Sequence, residues 1–249
     1  MFPFPVFHSV PYKKKVFRNI FTNATGQHIH ADVCDPEDYS LVETLIALTS
    51  GIDHNQPQFH RPFQYAVIED DQILQVFERE HWNYGRFGDG KSYGVWYAAE
   101  DEITSVTEAC WVAYQLAKDN VLPKGEVYHS ERAMYLADVD SKASLDLTKE
   151  KTLFNQLVHP SDYKFCQALG KKIVESKIEV LRTLSARKKG GICNPIFSPT
   201  PIKNPQRIYY LKINVYPDGE IGVDSSQELI RNLFQATDLQ SPYKDGNLL

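Results

Sequence analysis

Arg86, Tyr97 and Glu108 stand eleven residues apart, twice over, on three kinds of segment. Arg86 lies in the glycine-punctuated run Gly85-Arg86-Phe87-Gly88-Asp89-Gly90. Tyr97 lies in the apolar strand pattern Val95-Trp96-Tyr97-Ala98-Ala99, and Glu108 on an amphipathic helix expected from Asp101 to about Lys118. A guanidinium, a phenol and a carboxylate arriving from a loop, a strand and a helix can meet in one pocket. Such a set suits a small, anionic, sugar-bearing ligand. Arginine supplies a fixed fork of donors for phosphate, and the flanking glycines let the backbone come close to it. Tyrosine can stack on a heterocycle or bond a ribose hydroxyl; it can equally fill a core with its hydroxyl paired. Glu108 shares its helix face with Thr104, Trp111 and Val112. A carboxylate there needs a partner, and either an arginine or an oxocarbenium-like transition state would serve.

A second group follows the strand pattern Val180–Leu184: Ser185, Arg187, Lys188, Lys189, Gly190 and Gly191. One hydroxyl, three cations and two glycines within seven residues can cradle phosphate, or simply form a solvated basic turn. No G-x-S-x-G elbow surrounds Ser185, so it is not read as an acyl nucleophile. The eight histidines show no metal-binding spacing, and no metal is expected.

The elements that must position these groups can be read in outline. Asp35–Thr49 reads as a helix, with Asp35 as N-cap and Pro36 in the first turn. Phe63–Ile68 and Ile73–Phe77 read as strands around the turn Glu69-Asp70-Asp71. Val127–Val139 reads as extended, a helix follows Ser161-Asp162, and Ile208–Val215 is the strongest strand, turned by Pro217-Asp218-Gly219 toward Ile221–Val223. Gln227–Ala236 reads as a last helix. Strands and helices mix without regular βαβ alternation, so the fold class is α+β.

Composition narrows the function classes. The chain has 249 residues, 42% of them hydrophobic and 24% charged, enough for a full core. A net charge of −5 and the lack of a basic stripe argue against nucleic acid as partner. No apolar run has the length to cross a bilayer, and Lys13-Lys14-Lys15 follows rather than precedes the apolar start, so neither membrane nor export is expected. Four scattered cysteines fit reduced thiols in the cytoplasm.

Four stretches together resemble the RES-domain family. Arg86-Phe87-Gly88-Asp89-Gly90 followed by Tyr93-Gly94-Val95-Trp96-Tyr97-Ala98-Ala99 is similar to R-F-x-D-G…Y-G-x-x-Y-x-A. Thr107-Glu108 matches the helix carboxylate, and Asp162-Tyr163…Gln167-Ala168-Leu169 the approach to the serine segment. Ser185-Ala186-Arg187-Lys188-Lys189-Gly190-Gly191-Ile192-Cys193 resembles S-V-R-x-x-G-G-x-C. The resemblance implies an ADP-ribosyltransferase-like α+β fold, with residues 1–60 as an extension packed on a domain spanning 61–249. It also implies an enzyme that consumes NAD⁺ by phosphorolysis or hydrolysis of the nicotinamide–ribose bond, as the toxin of a toxin–antitoxin pair. Glu108, Arg86 and Ser185 are then the catalytic set, and Tyr97, Arg187 and Lys91 bind substrate. NAD⁺ is substrate rather than cofactor, and inorganic phosphate is the expected co-substrate. An antitoxin would block the pocket, and analogy favours a homodimer. Protein ADP-ribosyl transfer and an inactive binding module are the alternatives. Thr183-Leu184 replaces the family's usual Tyr-Pro before the serine, and the family's upstream arginine has two candidates here, Arg61 and Arg79.

Overall fold

The longest strand organises the chain. β3 (Tyr128–Asp146) runs 19 residues and is paired along both edges. The computed structural model describes residues 4, 7–21, 74–119, 125–225, 233–240 and 242–243. β3 pairs antiparallel with β1 (Val10–Phe21) and, over Ser144–Asp146, parallel with β4 (Val180–Leu184), Ser144 lying between Val10 and Val180. β2 (Trp96–Ala99) joins β1 to β5 (Ile192–Ile196), and β5 joins β4. The five strands therefore close a ring, β1-β2-β5-β4-β3 and back to β1. Opposite β1 along Tyr128–Val139, the sheet continues from β3 through β6 (Ile202–Val215), β7 (Glu220–Ser225) and β8 (Leu233–Gln235). The expected α+β class holds, with a mixed sheet in which, among the described strands, β3–β4 is the parallel pair.

Alternation along β3 explains the two sides of this sheet. Ala133, Tyr135, Ala137 and Val139 pack with Tyr12, Val16, Trp96, Val180 and Ile196. Met134 faces the other way, onto Val106, Cys110 and Ala113 of helix α1 (Glu102–Asp119). Asp101 starts α1 by accepting from Thr104 N at 2.8 Å and Thr104 Oγ1 at 2.6 Å, the N-cap role its side chain suits. The short α2 (Phe154–Leu157) leads into α3 (Lys164–Glu175), whose Phe165, Cys166, Leu169 and Ile173 bury against Phe87, Leu145 and Leu181. The last helix, α4 (Ala236–Gln240), packs Ala236 and Leu239 into the cluster under α1.

Several expectations change. Others hold: Lys15–Phe21, readable as a short strand from its sequence, lies within β1, a member of the ring. Ile73–Phe77 was expected to be a strand, yet Gln75–Phe77 is a 3₁₀ turn that buries only Val76, apolar content having been mistaken for alternation. Of the helix expected at Gln227–Ala236, Leu233–Gln235 is strand β8, a helix begins only at Ala236, and residues 227–232 lie outside the described residues. The Asp35–Thr49 helix and the Phe63–Ile68 strand lie outside the described residues. Of the described helices, none is long and apolar enough to cross a membrane.

Gly170 sets the distance between α3 and the Arg86 loop. A Cβ at that position would sit 2.2 Å from Phe87 O and 2.5 Å from the Tyr93 hydroxyl. The helix can therefore approach the loop only with a hydrogen at position 170. Gly170→Ala is expected to cost about 1–3 kcal/mol of stability, the usual range for overpacking. Urea unfolding with a loss under about 0.5 kcal/mol would show that the loop yields freely.

Candidate active site

Tyr97 builds the loop that carries Arg86. Its hydroxyl accepts from Phe87 N at 2.9 Å and Gly88 N at 3.1 Å, two donors that would otherwise be orphaned in a turn. Gln167 of α3 donates its amide to Gly85 O at 3.0 Å and Gly88 O at 3.3 Å, and the Tyr93 hydroxyl donates to Phe87 O at 2.8 Å. A β-bridge between Tyr84 and Asp89 closes the loop. Arg86 is thereby held against the Phe87 ring, 5.0 Å away, with Nη1 donating to Leu157 O at 3.4 Å. Burial alone would push its pKa down; the charge of Glu108 and neighbouring groups outweighs that and pushes it up.

Glu108 is half-buried on α1 and held through one oxygen. Oε1 accepts from Ser185 Oγ at 2.6 Å, from Ala186 N at 3.2 Å and from the Cys193 thiol at 3.4 Å. None of these contacts uses Oε2, and Glu108 borders the cavity described below. Ser185 in turn accepts from Arg187 N at 3.0 Å and Lys188 N at 2.9 Å. Its hydroxyl is fully engaged and fully buried, so it serves to fix the carboxylate. Burial, reinforced by Glu108, holds the Cys193 thiol well above its ordinary pKa, so it stays a protonated donor.

Arg187 does not belong to a solvated basic turn. Only 3% of it is exposed, its guanidinium lies 4.0 Å from the Trp111 ring, and it donates to Pro160 O at 2.6 Å and the Tyr163 hydroxyl at 3.0 Å. Burial lowers its pKa. From the C-terminal end, Leu239 O accepts from Arg187 at 3.4 Å and the Tyr243 hydroxyl donates to Ser185 O at 2.8 Å.

These groups surround a cavity of about 620 Å³, within the range of small-molecule sites. Arg86, Tyr97, Glu108 and Arg187 line it, and Ser185 stands directly behind Glu108. Lys91 falls outside: its side chain is exposed, and its backbone N–H belongs to the turn capped by Asp89 at 2.9 Å. Two arginines that sequence reasoning missed also line the cavity. Arg18 of β1 donates to Tyr97 O at 3.3 Å and lies 5.0 Å from the Trp96 ring, and burial lowers its pKa to about 9. Arg132 of β3 is 6% exposed and donates through Nε to Ser130 Oγ at 3.1 Å. Of the two upstream candidates, Arg79 is exposed on a 3₁₀ turn and away from the cavity, and Arg61 lies outside the described residues. Arg18 was detectable as a charge inside the apolar run Val16-Phe17-Arg18-Asn19-Ile20. Arg132 was detectable as a charge sharing Met134's side of a strand.

The four arginines share one electrostatic property. Among the described residues, none has a carboxylate within ion-pairing distance, and Glu108 is the only acid lining the cavity. Four fixed cations against one anion in a partly desolvated space favour an anionic ligand.

The sequence profile of the RES domain matches residues 60–214. No curated protein matches the sequence. A solved structure similar in shape is the crystal structure of the M. tuberculosis MbcT–MbcA toxin–antitoxin complex. It is 13% identical, with 80% of this chain and 86% of that chain covered and a TM-score of 0.44.

Tyr97→Phe removes the only acceptor on which Phe87 N–H and Gly88 N–H converge. It is expected to cost about 1–3 kcal/mol of stability, the penalty for orphaning buried donors. Chemical denaturation showing no loss would mean that the loop finds other partners.

Proposed function

The chain belongs to the RES-domain family, and from that premise we propose that it is an NAD⁺-degrading enzyme that breaks the nicotinamide–ribose bond, acting as the toxin of a toxin–antitoxin pair. The observation that carries this reading is the cavity's charge pattern: four arginines without carboxylate partners among the described residues, and one lining carboxylate held by one oxygen. A dinucleotide is complementary to it. The pyrophosphate takes the guanidinium forks, and the one acid is kept for the sugar carbon where positive charge develops.

In the reaction, the bond between ribose C1 and the pyridinium nitrogen breaks, and its electron pair leaves with nicotinamide, which becomes neutral. The leaving group is already cationic, so no general acid is needed. C1 becomes oxocarbenium-like, and Oε2 of Glu108 stabilises it more than the ground state. An oxygen of phosphate or of water then bonds to C1; in hydrolysis the water proton passes to Glu108 or to solvent. Ser185, Ala186 N and Cys193 keep the carboxylate from rotating away. Arg86 and Arg187, both electrostatically coupled to Glu108, hold the pyrophosphate so that the scissile bond stays beside the acid.

Glu108→Gln is expected to lower turnover by roughly 10²–10³, comparable to losing one transition-state contact, with the fold intact. The assay is nicotinamide release from NAD⁺, with and without phosphate. Phosphate dependence assigns a phosphorylase, and independence a hydrolase. ADP-ribose found on protein side chains would assign a transferase, and no release by the wild-type protein rejects the enzymatic reading.

A further inference from the structure

The pyrophosphate accounts for two of the four arginines, Arg86 and Arg187; of the remaining two, Arg18 is tied to Tyr97 O, and Arg132 has no assignment. Arg132 sits on the α1-facing side of β3, two residues from Met134 and directly opposite Phe21 of β1. Its guanidinium is 5.8 Å from the Phe21 ring, and the bond from Nε to Ser130 Oγ fixes its plane. Asn19, two residues from Phe21, shares that side of β1 by alternation and also borders the cavity. Both of its amide atoms, Oδ1 and Nδ2, are buried without a hydrogen-bond partner. A buried amide with neither atom satisfied costs stability unless a ligand completes it.

This cluster is set apart from the chemistry. Arg132 lies opposite Phe21 at the end of β1, whereas Glu108 is held at the turn after β4. The strand register separates the two groups: Cys193 beside Glu108 pairs with Ala99, Ala99 with Phe17 and Phe17 with Leu136, and Arg132 is four residues further along β3, roughly 13 Å at 3.3 Å per residue. The group that reaches Arg132 therefore belongs to the distal half of the dinucleotide. Sites that prefer an unphosphorylated adenosine ribose place a carboxylate on its hydroxyls, and sites that prefer the 2′-phosphate place an arginine there. Among the described residues this cavity offers no second carboxylate.

We propose that Arg132 and Asn19 form a phosphomonoester subsite that reads the 2′-phosphate of a dinucleotide, so that the enzyme prefers NADP⁺ to NAD⁺. This rests on the dinucleotide reading above and names the form of substrate that it takes.

The test uses the purified full chain and measures nicotinamide release from NAD⁺ and NADP⁺. NADP⁺ is expected to show a kcat/KM at least about tenfold higher, and Arg132→Gln to shrink that ratio by roughly 10- to 100-fold, as for loss of a charge-assisted contact. Arg132→Lys, which keeps the charge, should retain part of the preference. A wild-type preference for NAD⁺, or equal losses on both substrates in Arg132→Gln, would overturn the proposal by placing Arg132 on a moiety common to both. A change confined to the KM of inorganic phosphate would overturn it by assigning the arginine to the free ion. If neither dinucleotide is cleaved, calorimetry decides separately from activity. The subsite requires 2′-phospho-ADP-ribose to bind the wild-type protein about tenfold more tightly than ADP-ribose, and equal affinities refute it. This ligand comparison needs no variant to fold.

Discussion

A carboxylate placed beside tryptophan on a buried helix is tolerated only if something holds its charge, and here a serine at a strand end does so. The 2.6 Å bond from Ser185 to Glu108 joins α1 to the turn after β4, across 77 residues of chain. Ala186 N and the Cys193 thiol converge on the same oxygen, so β4, the turn and β5 all act on one atom. The closed ring of strands makes this convergence reproducible. β4 and β5 pair with each other while β5 also pairs with β2, which carries Tyr97 and through it the Arg86 loop.

The arginines around that carboxylate are held in different ways. Arg187 lies on Trp111 and donates to backbone carbonyls and a phenol, and Arg86 lies on its neighbour's ring. Neutral acceptors and π faces orient a guanidinium without cancelling its charge. The protein thus keeps its cationic potential available instead of consuming it in internal ion pairs. The structure does use such pairs elsewhere: Arg182 binds both Glu100, at 2.6 Å, and Asp146, at 2.8 Å.

Local signals were the legible part of the sequence. The α1 helix, β2, β4 and the glycine loop were readable because each combines strict periodicity with a capping or turn residue. The residues named for chemistry there, Arg86, Tyr97, Glu108 and Arg187, do line one cavity. What sequence could not show is direction. Ser185 looked like a phosphate ligand, but its lone pairs are taken by two backbone N–H groups and its proton by Glu108. Lys91 follows the glycine loop but leaves on its outer side, because Asp89 turns the chain there. Arg18 and Arg132 escaped notice because strand alternation was judged by apolar content alone. Both are charges whose position within a strand, rather than their neighbours in sequence, decides where they point.

The braces supplied by Leu239 and Tyr243 come from more than fifty residues after the turn they steady. During synthesis, the ring of strands and the carboxylate helix can emerge and pair before these last contacts exist. Until the ribosome has released residue 243, the serine turn lacks its outer support and Arg187 one of its carbonyl acceptors. The order of translation thus delays completion of the centre until residue 243 has emerged, after the strands and helix that it braces.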